Sequence, residues 1–454
     1  MKLFVFCLML SVVAARADVS DAAFDAVKKQ MELLQQQMQE LQEKLKAMQA
    51  ARTNVPPTSV AETAATTPMP VTPAAWSPGQ PITVARAGSA YMNVSFDTLM
   101  NVGWSTEPKV DKVLELGDHD PSQRGFSLRN AELSLDGAVD PYLKGFANIV
   151  LKLDNNNGTE IELEEAYGQS TALPWNLQLK AGQFFAAFGR QNQQHPHAWA
   201  FVDQPLIMNR VLGGDGLRNV GTQLSWLAPT PFYSELALGV FNGEGSTAYS
   251  FRDPDNTYGR TPVDRGLRGP GDLLFVPRAS AAFDLNDEQT LVVGTSAAFG
   301  PNDSGTQTRT EIYGVDTYWK WKSPAAHGGF PFVSWQTEAM LRRYEAGADA
   351  TVPLPAATLT DVGVYSQVLW GYRLNWVAGL RGEYVNNDQA PPDPQTPGAR
   401  GDRFRLSPNL TWYSSEFSKL RLQYNYDHGQ VFGDDHSVWM QIEFLLGAHA
   451  AHKF

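Results

Sequence analysis

The stretch His436–Leu446, HSVWMQIEFLL, decides the fold. Val438, Met440, Ile442, Phe444 and Leu446 fall on one face, and Trp439, Gln441, Glu443 and Leu445 on the other. Alternation with a period of two is the signature of a strand that is apolar on one side and polar on the other. Residues 90–102 repeat it, with Met92, Val94, Phe96, Thr98, Met100 and Val102 set against Tyr91, Asn93, Ser95, Asp97 and Asn101. Many such strands, an export signal at the front and the aromatic Phe454 at the end predict a closed barrel with lipid outside and water inside.

Residues 1–17 read as a signal peptide. Lys2 gives the basic start, Leu3 to Ala14 is apolar apart from Ser11, and Ala15-Arg16-Ala17 fits the small-x-small cleavage rule. No later stretch approaches the ~20 apolar residues that a helical span requires. The one cysteine, Cys7, lies inside the signal, so the mature chain has no thiol chemistry and needs rigidity from another source. A closed hydrogen-bonded barrel supplies it. The net charge is −12, and loss of Lys2 and Arg16 takes it to −14. That excludes nucleic acid as a partner, since phosphate binding needs a basic surface.

In residues 18–50, Phe24, Val27, Met31, Leu34, Met38, Leu41, Leu45 and Met48 recur at spacings of three and four on a polar background. This is an a/d seam, and it predicts a periplasmic coiled coil with partner helices, a parallel trimer being our choice. Contact of this coil with peptidoglycan is left open. Residues 51–89 are rich in Pro, Thr and Ala and read as an extended linker. Residues 90–454 are the barrel. Long polar segments at 105–124, 189–217, 243–276, 301–309, 345–358, 386–402 and 429–435 alternate with short turns, among them Asp140-Pro141, Gly371-Tyr372 and Ser414–Phe417. Long outside loops and short periplasmic turns are the pattern of an outer-membrane barrel. The expected fold is therefore all-β: a transmembrane antiparallel β-barrel of about sixteen strands, bracketed by fourteen and eighteen, preceded by an α-helical coiled coil.

Two segments carry a family likeness. In 177–227 a strand ends in Gly182-Gln183-Phe184, a Phe188-Gly189 step and a long loop follow, and the chain resumes as Leu217-Arg218-Asn219-Val220-Gly221-Thr222-Gln223-Leu224. Together with Arg124-Gly125-Phe126-Ser127-Leu128-Arg129-Asn130-Ala131-Glu132-Leu133, this resembles the phosphate-selective porin O/P family of Gram-negative outer membranes. The resemblance implies a trimeric sixteen-stranded channel. It does not carry phosphate selectivity, because this acidic chain lacks the family's dense ladder of basic residues.

Alternation also places inward residues. In 373–385, Leu374, Trp376, Ala378, Leu380 and Tyr384 should face lipid, with Asn375, Arg381 and Glu383 inside. In 403–413, Phe404, Leu406, Leu410 and Trp412 face out, with Arg403, Arg405, Ser407, Asn409 and Thr411 inside. In 419–427, Arg421, Gln423, Asn425 and Asp427 are inside. Arg381, Arg403, Arg405 and Arg421 thus form an expected basic strip lining the pore, with Glu383 beside it; such charge rings select ions. The loop 189–217 is the expected constriction, since it is long and holds Trp199, Phe201, Leu206, Ile207 and Met208. Its Asp203 and Asp215 are expected to face the arginines.

His195-Pro196-His197 in that loop, with His449 and His452 near the end, raises a channel for zinc or its complexes as the runner-up. Two histidines one residue apart are an incomplete ligand set, so no metal site and no cofactor are expected. The sequence holds no GxSxG, Walker loop or CxxC, and we read no enzyme in it. A surface receptor is disfavoured because the coil directly follows the signal. The expectation is a passive outer-membrane diffusion porin for small hydrophilic solutes, anions among them, embedded in outer-membrane lipid, with no energy coupling.

Overall fold

The computed structural model describes residues 80–447 apart from 265 and 389–400. The signal peptide, the coiled coil, most of the linker, His449, His452 and Phe454 lie outside the described residues. Apolar alternation organises the rest into strands β1 (Ile82–Ala87), β2 (Ala90–Ser105), β3 (Gly125–Ala138), β4 (Leu143–Leu153), β5 (Thr159–Ser170), β6 (Leu177–Phe185), β7 (Arg218–Leu227), β8 (Tyr233–Phe241), β9 (Leu274–Asn286), β10 (Gln289–Pro301), β11 (Arg309–His327), β12 (Phe330–Ala346), β13 (Ala357–Arg373), β14 (Trp376–Asp388), β15 (Arg403–Ser415), β16 (Ser418–Gly429) and β17 (Gly433–Leu446). Each strand from β2 to β17 pairs antiparallel with the next. β17 returns to β2, from Ser437 opposite Ser105 to Leu446 opposite Phe96. Sixteen strands therefore close with no open edge, which is the condition for a sheet to sit in lipid.

β1 corrects the expected linker boundary. β17 stops at Leu446 opposite Phe96, so the edge of β2 from Ala90 to Val94 has no partner there. Residues 82–87 fold back and supply it, Ile82 facing Val94 and Ala87 facing Ala90. An exposed row of unpaired N–H and C=O groups would otherwise remain.

The two faces of the wall separate as the alternation predicts. Phe404, Leu406, Leu410 and Trp412 are exposed on the outer surface of β15, while Arg405, Ser407 and Thr411 between them are buried. β16 and β17 do the same, with Leu422, Tyr424, Val438 and Ile442 outside and Arg421, Gln423, Ser437 and Glu443 inside. One placement differs. Asn375 is not an inward strand residue but the turn itself, at φ 67°, between Arg373 and Trp376. Gly371, read as the turn, lies within β13; a Cβ there would sit 2.3 Å from the Phe332 ring, so this glycine serves close packing.

A sixteen-stranded barrel is wide enough to hold a water-filled channel. Here the described loop residues 186–217 run inside it. They carry the seven-residue helix α2 (Leu206–Leu212), all of it buried; α1 (Val110–Val113) lies in the loop between β2 and β3. Leu206, Ile207, Met208 and Val211 pack with Phe184, Phe188, Met340, Tyr365 and Val385 in one apolar cluster. Burying four such side chains stabilises the seated loop by about 1.5–3 kcal/mol each before ordering costs. Gly363 on β13 permits this approach, since a Cβ there would stand 2.6 Å from Ile207 Cδ1.

Candidate functional site

The inner wall of β14–β16 is built from a cross-strand ladder. Glu383 stands opposite Arg405, and Arg405 opposite Asp427, so charges of alternating sign meet side by side. Opposite charges at such positions attract, whereas a row of arginines alone would repel. Arg405 Nε donates to both oxygens of Asp427 at 2.8 and 3.1 Å, and Arg403 Nε reaches the same carboxylate at 2.8 Å. Arg381 Nε donates to Glu383 at 2.7 Å.

Asp203 on the loop completes the ladder. Its Oδ1 accepts from Arg381 at 2.5 Å and Gln423 at 2.8 Å; its Oδ2 accepts from Arg405 at 3.0 Å and Asn425 at 2.8 Å. Burial disfavours the carboxylate, but Arg381 and then Arg405 outweigh it and hold the Asp203 pKa below its ordinary value. The loop main chain is gripped as well. Carbonyls of His197, Trp199, Ala200 and Asp203 accept from Lys419, Arg421, Asn409 and Arg381 at 2.7–2.9 Å. The amides of Val202 and Leu206 donate to Gln423 and Glu383 at 2.9 and 2.7 Å. Further round the wall, Arg342 pairs with Asp361 and donates to the Arg210 carbonyl near the end of α2 at 2.9 Å. The four arginines of the expected strip are therefore not solvated charges: each is buried, Arg381, Arg403 and Arg405 pair with carboxylates, and Arg421 donates to Thr411, Gln441 and the loop.

Asp215 is the correction among the loop residues. It does not face the arginines. It lies across the lumen, 3.6 Å from Arg218 and 4.0 Å from His119. Burial, then the charge of Asp118, push its pKa up to about 8. Asp120 is pushed up to about 6 by burial and by Asp203.

His195 and His197 lie between these walls, stacked with centroids 5.7 Å apart. His195 Nδ1 is 2.7 Å from Glu164 Oε2 and 3.7 Å from Glu132 Oε2, and its Nε2 is 2.9 Å from Glu165. Burial works against the imidazolium, but Glu164, Glu165 and Glu132 raise the His195 pKa well above the usual value. His197 Nδ1 is 3.1 Å from Glu132 and 3.7 Å from Asp97. Glu132, Glu164 and Glu165 were missed as site residues. Glu132 and Glu164 fall on inward positions of β3 and β5, and that alternation was the available signal.

Comparison with known proteins bears on this architecture. No family model matches the sequence. An uncharacterized protein of Aquifex aeolicus (strain VF5) is 31% identical over 352 residues, covering 73% of this chain and 71% of that one. The chain belongs to that protein's family. Among solved structures, the outer membrane channel DcaP of Acinetobacter baumannii superposes with a TM-score of 0.52 at 11% identity, over 79% of this chain and 98% of that one. An anion-selective porin from Comamonas acidovorans gives 0.49 at 9%, over 79% and 100%. The DcaP likeness is one of fold alone, that of a porin-like sixteen-strand barrel. The likeness to the phosphate-selective O/P family rests on the two quoted segments alone.

Proposed function

We propose that the protein is a porin of a Gram-negative outer membrane that passes small hydrophilic solutes passively, as a trimer held by its barrel and by the heptad seam of residues 18–50. The carrying observation is the closed barrel with an apolar outer surface and a charged inner wall, in which one loop crosses the lumen. Loop 186–217 is its constriction, and Arg381, Arg403, Arg405, Arg421 and Glu383 line the face on which it rests. No step needs energy coupling or chemistry on the solute. Alone, the arginine strip favours anions. Pairing with Asp203, Glu383 and Asp427 removes that bias. The wall that continues beyond β17, with Asp97, Glu132, Glu164 and Glu165 on β2, β3 and β5, turns the balance toward cations.

The test is the reversal potential of the purified protein in a planar bilayer across a KCl gradient. Stepwise conductance with a cation-selective reversal is expected. Anion selectivity would refute the assignment of charge balance, and no conductance from folded protein would refute the porin. A second reading, a channel for metal ions, is favoured by His195 against Glu132 and Glu164.

A further inference from the structure

Glu132 from β3, Glu164 from β5 and His195 from the loop bring three ligand atoms within 4.8 Å of one another. Two are carboxylate oxygens and one is an imidazole nitrogen, a set suited to divalent first-row transition ions. Bonds of 2.0–2.2 Å to a tetrahedral zinc set its ligands ~3.3–3.6 Å apart. The observed 2.7 and 3.7 Å from His195 Nδ1 to Glu164 and Glu132 bracket that spacing.

We propose that Glu132, Glu164 and Nδ1 of His195 form a binding site for a divalent transition-metal cation of the zinc class, which ties the lumen loop to the barrel wall. The arrangement around the three atoms is that of a built site. Glu165 takes the Nε2 side of His195 at 2.9 Å, which orients the ring so that Nδ1 is presented to the carboxylates. A carboxylate behind a ligating histidine is the usual outer partner of a metal ligand. Glu165 is itself held by the Phe185 amide at 3.1 Å. The Asn148 side-chain nitrogen marks the focus, 2.6 Å from Glu164, 3.3 Å from Glu132 and 3.1 Å from His195. Its amide oxygen accepts from Ser134 at 2.6 Å. Because the amide can turn over and Ser134 can donate or accept, Asn148 can offer oxygen as a fourth ligand.

Asp97 is an independent pointer. It is 2% exposed, neither of its oxygens has a hydrogen-bond partner, and Oδ2 is aimed at His197 Nδ1 at 3.7 Å. With Glu132, Glu164 and Glu165 it makes four buried carboxylates whose close cationic neighbours are His195 and His197, while Lys419 and Lys180 act on Asp97 and Glu165 from beyond ion-pair distance. Buried charge of one sign calls for a counter-charge. A dication supplies it by taking the place of the proton on Nδ1, while Nε2 keeps its own proton and donates it in the hydrogen bond to Glu165. The site stands whether or not the barrel conducts, because it is read by binding.

The experiment uses the full chain, folded in detergent and stripped with chelator, then titrated with Zn²⁺ by calorimetry and assayed for retained metal. One zinc per chain is expected. Glu164→Gln should weaken binding at least tenfold, and Glu165→Gln about 10–100-fold as a supporting residue. His449→Ala/His452→Ala should leave binding unchanged, which separates the site from the histidines near the end of the chain. Mg²⁺, which shuns imidazole, should not compete. Heat-modified gel migration reports folding; if Glu164→Gln fails to fold, Glu165→Gln carries the test. Absence of zinc from the wild type, zinc undiminished in the variants, or loss of zinc in His449→Ala/His452→Ala would overturn the proposal.

Discussion

Asp203→Asn tests what seats the loop. The substitution keeps the shape but removes the charge that Arg381 and Arg405 share at 2.5 and 3.0 Å. Removing one partner from a buried pair costs about 3–5 kcal/mol, because the remaining charge stays buried. The amide oxygen still accepts one bond, and Glu383 and Asp427 still neutralise part of the guanidinium charge, so the low end applies. About 3 kcal/mol is a factor of ~10² in the ratio of seated to unseated loop, at 1.4 kcal/mol per decade. The barrel strands keep their ladders, so the loss appears locally. The amides of Val202 and Leu206, which donate to Gln423 and Glu383 only in the seated loop, should exchange ~10² times faster with deuterium, while amides in β15 stay protected. Arg405→Gln added to Asp203→Asn leaves Arg381 with Glu383 and Arg403 with Asp427. That double variant should recover more than half of the lost protection. Exchange at Val202 and Leu206 within threefold of the wild type would refute the claim that Asp203 holds the loop.

Other outcomes follow from the same packing. Asp215, with its pKa pushed up to about 8, binds its proton more tightly in the folded chain than in the unfolded one. Its contribution is complete below its ordinary value near 4 and is lost as pH rises through about 8. Protection at residues 213–218, relative to the intrinsic exchange rate at each pH, should therefore fall between pH 4 and 8, and Asp215→Asn should flatten that fall. Gly363→Ala puts a Cβ 2.6 Å from Ile207 Cδ1 and should loosen α2 by about 1–3 kcal/mol, read as faster exchange at Met208 and Asn209 with unchanged heat-modified migration.

The strands were legible because the information is local. Each residue of β15–β17 shows its face by what stands one place before and after it, and lipid on one side enforces the pattern. Turn positions were less so. Glycine at 371 answers to Phe332, a contact 39 positions away, whereas Asn375 takes the left-handed conformation the turn needs. The connection read as 429–435 shrinks to 430–432, because β16 and β17 run on past the apolar band through His428 opposite Asp434 and Tyr426 opposite His436. Polar strand residues beyond the lipid are indistinguishable from loop in one sequence.

The charges inside the barrel were harder still, for a reason of energetics. Alternation states that Arg381, Arg405 and Arg421 point inward, but whether such a row is a filter or a clamp depends on where the counter-charges land. In water at 4 Å a pair of unit charges is worth only about 1 kcal/mol, and at an effective dielectric of 20 about 4 kcal/mol. Asp203 gains the larger sum because it is buried, on a loop that Ile207, Met208 and Val211 seat by packing with Tyr365 and Val385. The apolar residues of the loop and its one aspartate between the arginines are thus a single device. The seven apolar or polar positions of α2 cannot be judged as solvent-exposed loop, nor the arginines as free, until both are placed in the same lumen. Asp215 shows the converse: the same residue type twelve positions on is buried beside Asp118, away from the arginines of β14–β16, and its carboxyl is driven toward the neutral form.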